Sequence, residues 1–103
     1  MIPTSVRIFV CTERQDMRRS FDALALVVQE RLSLDPQSGA LFVFASKRGH
    51  RLKVLWFDRN GYCILYKRLH QARFELPEAT RADRPIVSID PRTLTTILGG
   101  VEK

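Results

Sequence analysis

Three strand-like runs joined by very short connections constrain the fold of this chain more than any other feature. The runs are Ala40–Ser46, Leu52–Asp58 and Tyr62–Leu69, separated only by "KRGHR" and "RNG". Asn60-Gly61 is a strong hairpin signal, since a type I′ turn needs positive φ at both central positions. Gly49 gives the first connection a weaker signal of the same kind. The three runs therefore predict an antiparallel meander.

The middle run is apolar on both of its faces. Alternation divides its side chains into two sets, Leu52, Val54 and Trp56 on one side and Lys53, Leu55 and Phe57 on the other. A strand of this kind is usually central and covered on both sides. One predicted cover is a helix. The other is a second sheet layer, the C-terminal segment or a partner subunit.

A strand and a helix are predicted before the meander. Val6–Cys11 is β-branched and aromatic, which is typical of a strand. The helix follows, with Ser20 or Asp16 as its cap, and it runs to about Leu32. Its apolar stripe is Phe21, Leu24, Ala25, Val28 and Leu32. Because Leu26 and Val27 widen this face, the helix either lies against the sheet, which we favour, or takes part in self-association.

The C-terminal third predicts shorter elements. Arg73–Pro77 continues the sheet as an edge strand, because Pro77 ends ladder pairing. Ile86–Ile89 is a short extended run. Asp90-Pro91 then begins a helix with a good cap, and Gly99-Gly100 ends it. The prediction is one α+β domain, residues 1–103, in which the meander and the N-terminal strand form a small, mainly antiparallel sheet packed by one main helix, with a short C-terminal helix.

Composition predicts a cytoplasmic protein with no membrane partner. No run approaches the ~18 consecutive apolar residues of a membrane span. The N-terminus carries Arg7 within its apolar part and lacks a small-residue cleavage site, so no signal peptide is predicted. Cys11 and Cys63 have no metal-ligand spacing and lie in apolar runs, which favours two buried thiols over a disulfide or a zinc site.

The positive charge is concentrated in one segment. The net charge is +6, and residues 47–73 hold eight lysine and arginine residues against the single acid Asp58. The remaining residues carry nine bases and ten acids. Charge that served only solubility would be spread more evenly, so this block is the electrostatic footprint expected of a nucleic-acid binder.

The predicted DNA contacts are cations that would bind phosphates with little reading of bases. They are Arg18, Arg19, Lys47, Arg48, His50, Arg51, Lys53, Arg59, Lys67, Arg68 and Arg73. Because successive turns of a meander lie at opposite ends, the charge is expected to spread along the sheet. The alternative is a solvated edge whose charges block aggregation. Aromatic residues here are more often core, and Tyr62 and Tyr66 are the better candidates for base stacking.

Catalysis is not predicted, and no cofactor or metal is expected. The chain has no GxSxG elbow, no P-loop and no GxGxxG. His50 and His70 lie among arginines, which suits exposed cations more than a general base. Asp16 and Asp22 bracket the start of the helix, where capping and the helix dipole explain them better than metal binding.

Two long blocks resemble the small accessory proteins of the insertion sequence 66 family, often labelled TnpB. The blocks are "QDMRRSFDALALVVQE", residues 15–30, and the segment from Leu41 to Pro77; "IDPRTLTTILGGVE" is similar to the closing segment of that family. The sequence departs from the family at Ser20 and Ala23, where glycines are usual, and at His50, where an acid is usual. The resemblance implies a protein that accompanies a separate DDE-type transposase and is needed for transposition, with no catalytic role assigned to any residue.

Two functions follow as hypotheses. The first is a non-catalytic accessory protein that assists DNA transposition by binding DNA through a basic face. The alternative is a protein-interaction adaptor that docks on the transposase or self-associates, without direct DNA contact.

Overall fold

A computed structural model describes residues 5–80 and 83–102 of the chain. Met1 to Thr4, the first residues of the stretch tested for a signal peptide, lie outside the described residues. The elements in chain order are β1 (Ile8–Cys11), α1 (Phe21–Glu30), β2 (Leu41–Ala45), β3 (Arg51–Asp58), β4 (Gly61–Arg68), β5 (Ala72–Arg73), β6 (Ile86–Ile89), α2 (Pro91–Gly99) and β7 (Val101–Glu102).

The predicted α+β fold is confirmed. Five strands form one sheet in the order β4-β3-β2-β1-β6, and β2, β3 and β4 make the expected antiparallel meander. β1 pairs in parallel with β2 and antiparallel with β6. The parallel pair requires a long crossover between its strands, and α1 lies within that connection.

Each face of the sheet has its own core. On one face α1 packs over buried residues such as Phe42, Phe44 and Leu55. On the other face Leu52 and Val54 pack with residues of the C-terminal segment: Phe74, Leu94 and Ile97. The second cover of β3 is therefore the C-terminal segment, one of the three covers that the sequence left open.

The apolar face of α1 follows the predicted stripe except at Phe21, since Leu24, Ala25, Val28 and Leu32 are all buried. Leu24, Val27 and Val28 are buried, whereas Phe21 is 45% exposed and Leu26 is 50% exposed. Phe21 is the first residue of the helix, and helical side chains lean toward the helix N-terminus. We attribute its exposure to this lean, which directs the ring off the end of the helix. Its predicted place in the core is wrong.

The β3–β4 hairpin is at the predicted place, but its turn differs. Asp58 pairs with Gly61, so Arg59 and Asn60 are the two central residues. Arg59 has a φ of 56°, and the backbone N–H of Asn60 donates to the carbonyl of Asp58. The expected type I′ turn with positive φ at Asn60 and Gly61 is therefore wrong, since Arg59 takes the left-handed conformation instead.

The chain after β4 leaves the main sheet. Ala72 and Arg73 pair with Val101–Glu102 in a separate two-stranded ribbon, so the predicted edge strand Arg73–Pro77 is wrong. The physical reason is Phe74, which is fully buried in the core beneath α2 and turns the chain across that face.

The two helices begin in different ways. Asp90 caps α2 as predicted, because its carboxylate accepts a hydrogen bond from the backbone N–H of Thr93 at 2.7 Å. Gly100, with a φ of 70°, follows the last turn as predicted. Ser20 occupies the N-cap position of α1, one of the two predicted caps, but its side chain makes no capping hydrogen bond; Asp16 binds Arg18 instead.

The two cysteines are free thiols. Cys11 is fully buried, and this burial raises the pKa of its thiol. Cys63 lies half-buried on the edge strand β4, so the prediction of a buried thiol holds for Cys11 only.

Candidate nucleic-acid interface

The β2–β3 turn carries the densest group of cations, and its backbone is tightly held. The backbone N–H of Ser46 donates to the carbonyl of Arg51 at 2.9 Å, and the N–H of Arg51 donates to Oγ of Ser46 at 3.1 Å. Gly49 has a φ of 84°, and an added Cβ would meet the Arg14 guanidinium at 3.3 Å. The positive φ therefore favours glycine here, and a Cβ would also require the Arg14 side chain to shift slightly.

The chain that follows β4 forms hydrogen bonds to the backbone of this turn. The backbone N–H of Leu69 donates to the carbonyl of His50, and that of Phe74 donates to the carbonyl of Gly49. Arg14 adds two further bonds, to the carbonyls of Ser46 and Phe74. With its carbonyls engaged on the inner side, the turn presents its side chains outward.

We define the basic end as Lys47, Arg48, His50, Arg51 and Arg68. Lys47, Arg48 and Arg68 are exposed, and Arg51 lies directly opposite Arg68 in the β3–β4 register. Two shallow depressions flank the turn, of about 230 and 250 Å³, and both are lined by Arg48 and His50. The basic end is thus a cationic surface with a shallow depression on each side of Arg48 and His50.

Acidic residues compensate little of this charge. Among the described residues the ion pairs involve Arg18, Arg31 and Arg73, and none involves the lysine or the three arginines of the basic end. Asp16 lines the first depression, and a hydrogen bond from Arg18 holds the pKa of its carboxyl well below the usual range, so this one carboxylate stays charged near Lys47. Like charges opposite each other, as at Arg51 and Arg68, destabilise a sheet, so an anion bound between them would relieve their repulsion.

Lys53 lies inside the protein and does not reach this surface. It is 7% exposed, and its ammonium donates to the carbonyls of Met17 and Arg19 at 2.8 and 2.7 Å. Lys53 is therefore not placed to contact DNA, because its side chain is buried and two of its three ammonium N–H groups are engaged within the protein. Its role is to fasten the loop before α1 to the sheet.

That loop brings two more predicted cations beside the basic end. Arg18 and Arg19 are exposed, and Met17 lines the same depression as Arg48. Arg18 is engaged with Asp16, and Arg19 donates to the side chain of Gln15 at 3.3 Å. Both guanidiniums lie at the margin of the basic end.

Three other predicted cations lie elsewhere or are engaged. Arg59 is at the far end of the eight-residue strand β3, about 25 Å away at the usual rise of a strand. Lys67 lies on the α2 face and donates to the carbonyl of Leu98 at 2.7 Å. Arg73 lies next to the turn, and its Nε is 4.0 Å from the carboxylate oxygen of Glu75. Charge therefore collects at one end of the sheet, in contrast to the spread predicted from the meander.

Two residues have a larger part in this site than the sequence predicts: Arg14, which is not among the predicted contacts, and Tyr66, which is predicted only as a candidate for base stacking. Arg14 is half-buried and joins β1 to the basic turn, a role set by contacts 32 and 60 residues away in sequence. Tyr66 accepts a hydrogen bond from Arg51 at 2.7 Å through its hydroxyl. The sequence signals for Tyr66 are a hydroxyl that tolerates exposure and its place directly before Lys67 and Arg68.

The structure was also searched for metal-binding clusters and for membrane-spanning helices. Within residues 5–80 and 83–102, no three His, Cys, Asp or Glu side chains come together as metal ligands would. Neither α1 nor α2 is long and apolar enough to span a membrane.

The fold and the basic end define a small α+β domain whose positive charge lies at one end of its sheet. The chain belongs to the IS66 Orf2-like protein family, whose sequence model matches residues 6–103. This confirms the resemblance and places the chain among the accessory proteins of insertion sequences.

Relatives and solved structures add no assigned activity. The chain is 41% identical over 104 residues to uncharacterized protein y4hO of Sinorhizobium fredii, covering 99% of this chain and 88% of that protein. It is 36% identical over 72 residues to uncharacterized protein y4jC of the same organism, covering 70% of this chain and 62% of that protein. No solved structure gives a significant match to the chain.

Proposed function

We propose that this protein is a non-enzymatic accessory factor of an insertion-sequence element that assists transposition by binding the DNA backbone through its basic end. The observation that carries the proposal is that Lys47, Arg48 and Arg51 line one depression and that Arg68 lies directly opposite Arg51, with no ion pair from these four residues to any described acid. Such cations attract phosphates and release counterions from DNA, which favours binding.

The turn also supports this function by its rigidity. Lys47 and Arg48 stand on a backbone fixed by bonds from Leu69, Phe74 and Arg14. A fixed backbone lowers the entropy lost when cations are ordered on a ligand. Phosphate contacts of this kind position a protein on DNA without selecting sequence.

A salt titration tests the proposal. Wild-type protein is expected to bind a mixed-sequence duplex with an affinity that falls steeply as salt rises, about 0.9 in log–log slope for each phosphate contact. The variant Arg48→Gln/Arg68→Gln removes two contacts, so its slope should be shallower by about 2. Fluorescence anisotropy of a labelled duplex measures both slopes.

The matched control is Arg7→Gln/Arg92→Gln. Both arginines are exposed and lie near the opposite end of the sheet: Arg7 directly precedes Ile8, and Arg92 lies in the first turn of α2, three residues after Ile89. This control removes the same charge and should keep the wild-type slope. Absence of duplex binding at low salt, or equal loss in the two variants, would contradict the proposal.

A second candidate function, self-association, is favoured by the open edge of β4. In the described part of the chain β4 pairs only with β3, and its Leu65 is 45% exposed. A second copy paired antiparallel about Ile64 would set Tyr62 beside Tyr66 and Cys63 beside Leu65. This register brings no like charges together, which suits a dimer through this edge. Contact with the transposase stays a prediction.

Sedimentation tests this second candidate. The wild type should sediment at twice the 11.9 kDa chain mass, and Leu65→Lys should be a monomer because edge lysines block strand pairing. Leu26→Lys is the control, since Leu26 is similarly exposed but lies on α1. A monomeric wild type, or disruption by Leu26→Lys, would count against the β4 interface.

A further inference from the structure

Tyr66 occupies an unusual position for an exposed aromatic side chain. It lies on β4 directly opposite Lys53, on the face of the sheet that also carries Arg51 and Arg68. The residue is 47% exposed. An aromatic ring is thus held in the open among cations, at the border of the basic end.

Two cationic side chains hold the ring of Tyr66 in place. The Lys53 ammonium lies 4.8 Å from the ring centre, and the Arg51 guanidinium carbon lies 6.0 Å from it. Arg51 also donates a hydrogen bond to the Tyr66 hydroxyl at 2.7 Å. The position of the Lys53 ammonium is restricted, because it donates hydrogen bonds to the carbonyls of Met17 and Arg19. The ring is therefore pre-organised, with part of its surface left to solvent.

We propose that Tyr66 is a stacking platform for an unpaired nucleobase, so that the protein prefers single-stranded DNA over a fully paired duplex. This inference rests on the proposed DNA-binding function and names the class of DNA that the basic end takes. A base can stack on a protein ring only when it is unpaired or splayed out, and such stacking tolerates any sequence.

The neighbouring cations fit the remainder of a nucleotide. Arg68 follows Tyr66 by two residues on the same face, and Arg51 is opposite Arg68 in register. A base on the ring would place its flanking phosphates near these guanidiniums. Single-strand binding sites combine these two parts, a cationic track and an aromatic surface.

Fluorescence anisotropy with three labelled DNAs tests the inference on the full chain. The DNAs are an oligothymidylate of about 15 nucleotides, an abasic strand of equal length, and a duplex. Tyr66→Leu should weaken oligothymidylate binding about 10-fold and change binding to the abasic strand and the duplex less than about 2-fold. Tyr66→Phe keeps the ring and should stay within about 3-fold of wild type on oligothymidylate.

Tyr62→Leu is the matched control. Tyr62 lies on the same face of the same strand, but its ring packs edge-on against Phe57, away from the basic end. The Tyr62→Leu variant should bind all three DNAs with the affinity of the wild type. Equal affinity of the wild type for thymidylate and abasic strands, or an equal loss in the two leucine variants, would overturn the inference.

The outcomes also separate this inference from the proposed function. Salt-dependent duplex binding that persists while Tyr66→Leu has no effect on oligothymidylate would overturn the stacking role alone. Absence of binding to every DNA at low salt would overturn both. The single-strand preference itself requires the wild type to bind oligothymidylate more tightly than the duplex at equal salt.

Discussion

Replacing Phe74 with alanine is expected to destabilise the protein by about 3–5 kcal/mol, the usual cost of removing a fully buried phenylalanine. Phe74 is 0% exposed and packs with Leu94 and Ile97 in the core beneath α2. Its backbone N–H also donates to the carbonyl of Gly49, which supports the basic turn. Urea unfolding, followed by Trp56 fluorescence, measures the loss.

Phe21→Ala is the control for this experiment. The apolar stripe of α1 predicts Phe21 in the core, but the residue is 45% exposed. The same substitution there should cost less than about 1 kcal/mol. If Phe21→Ala were the more destabilising variant, the observed placement of both rings would be incorrect.

Lys53→Met should be the next most damaging substitution, costing about 1–3 kcal/mol, because it leaves two part-buried carbonyls without a charged donor. The carbonyls are those of Met17 and Arg19, which Lys53 holds at 2.8 and 2.7 Å. Methionine fills a similar volume, so the loss reports the hydrogen bonds more than a cavity. Urea unfolding gives the free energy, and exchange of the amide hydrogens in the loop before α1 should become faster.

Lys67→Met provides a matched comparison. Lys67 also donates to one carbonyl, that of Leu98 at 2.7 Å, but its side chain is exposed. Water can replace this donor, so we expect a cost below about 0.5 kcal/mol. Equal losses in the two methionine variants would show that Lys53 acts as an ordinary surface lysine.

The parts of the fold that the sequence predicts correctly depend on short-range signals. The meander follows from apolar runs and tight connections, and α2 follows from Asp90 at its cap and Gly100 at its end. Each of these signals acts within a few residues, where backbone conformation and local hydrogen bonds decide the outcome. The turn type at Arg59 shows the limit, since the location of a hairpin is easier to predict than its dihedral angles.

The errors concern contacts between distant parts of the chain. Phe74 follows a polar stretch and resembles part of an edge strand, but its burial against α2 carries the chain off the sheet. Lys53 resembles a surface cation because a strand exposes alternate residues. The loop before α1 covers it, and the sequence does not show that Met17 and Arg19 supply its acceptors.

The sequence by itself determined the class of the fold, the family and the concentration of positive charge in residues 47–73. Only the tertiary structure decided where that charge lies. Short strands and turns set the local order, but the clamp on the β2–β3 turn comes from Arg14, Leu69 and Phe74, which are remote in sequence. Charge along a chain is a property of composition, whereas a cationic surface depends on which side chains the packed core leaves facing water.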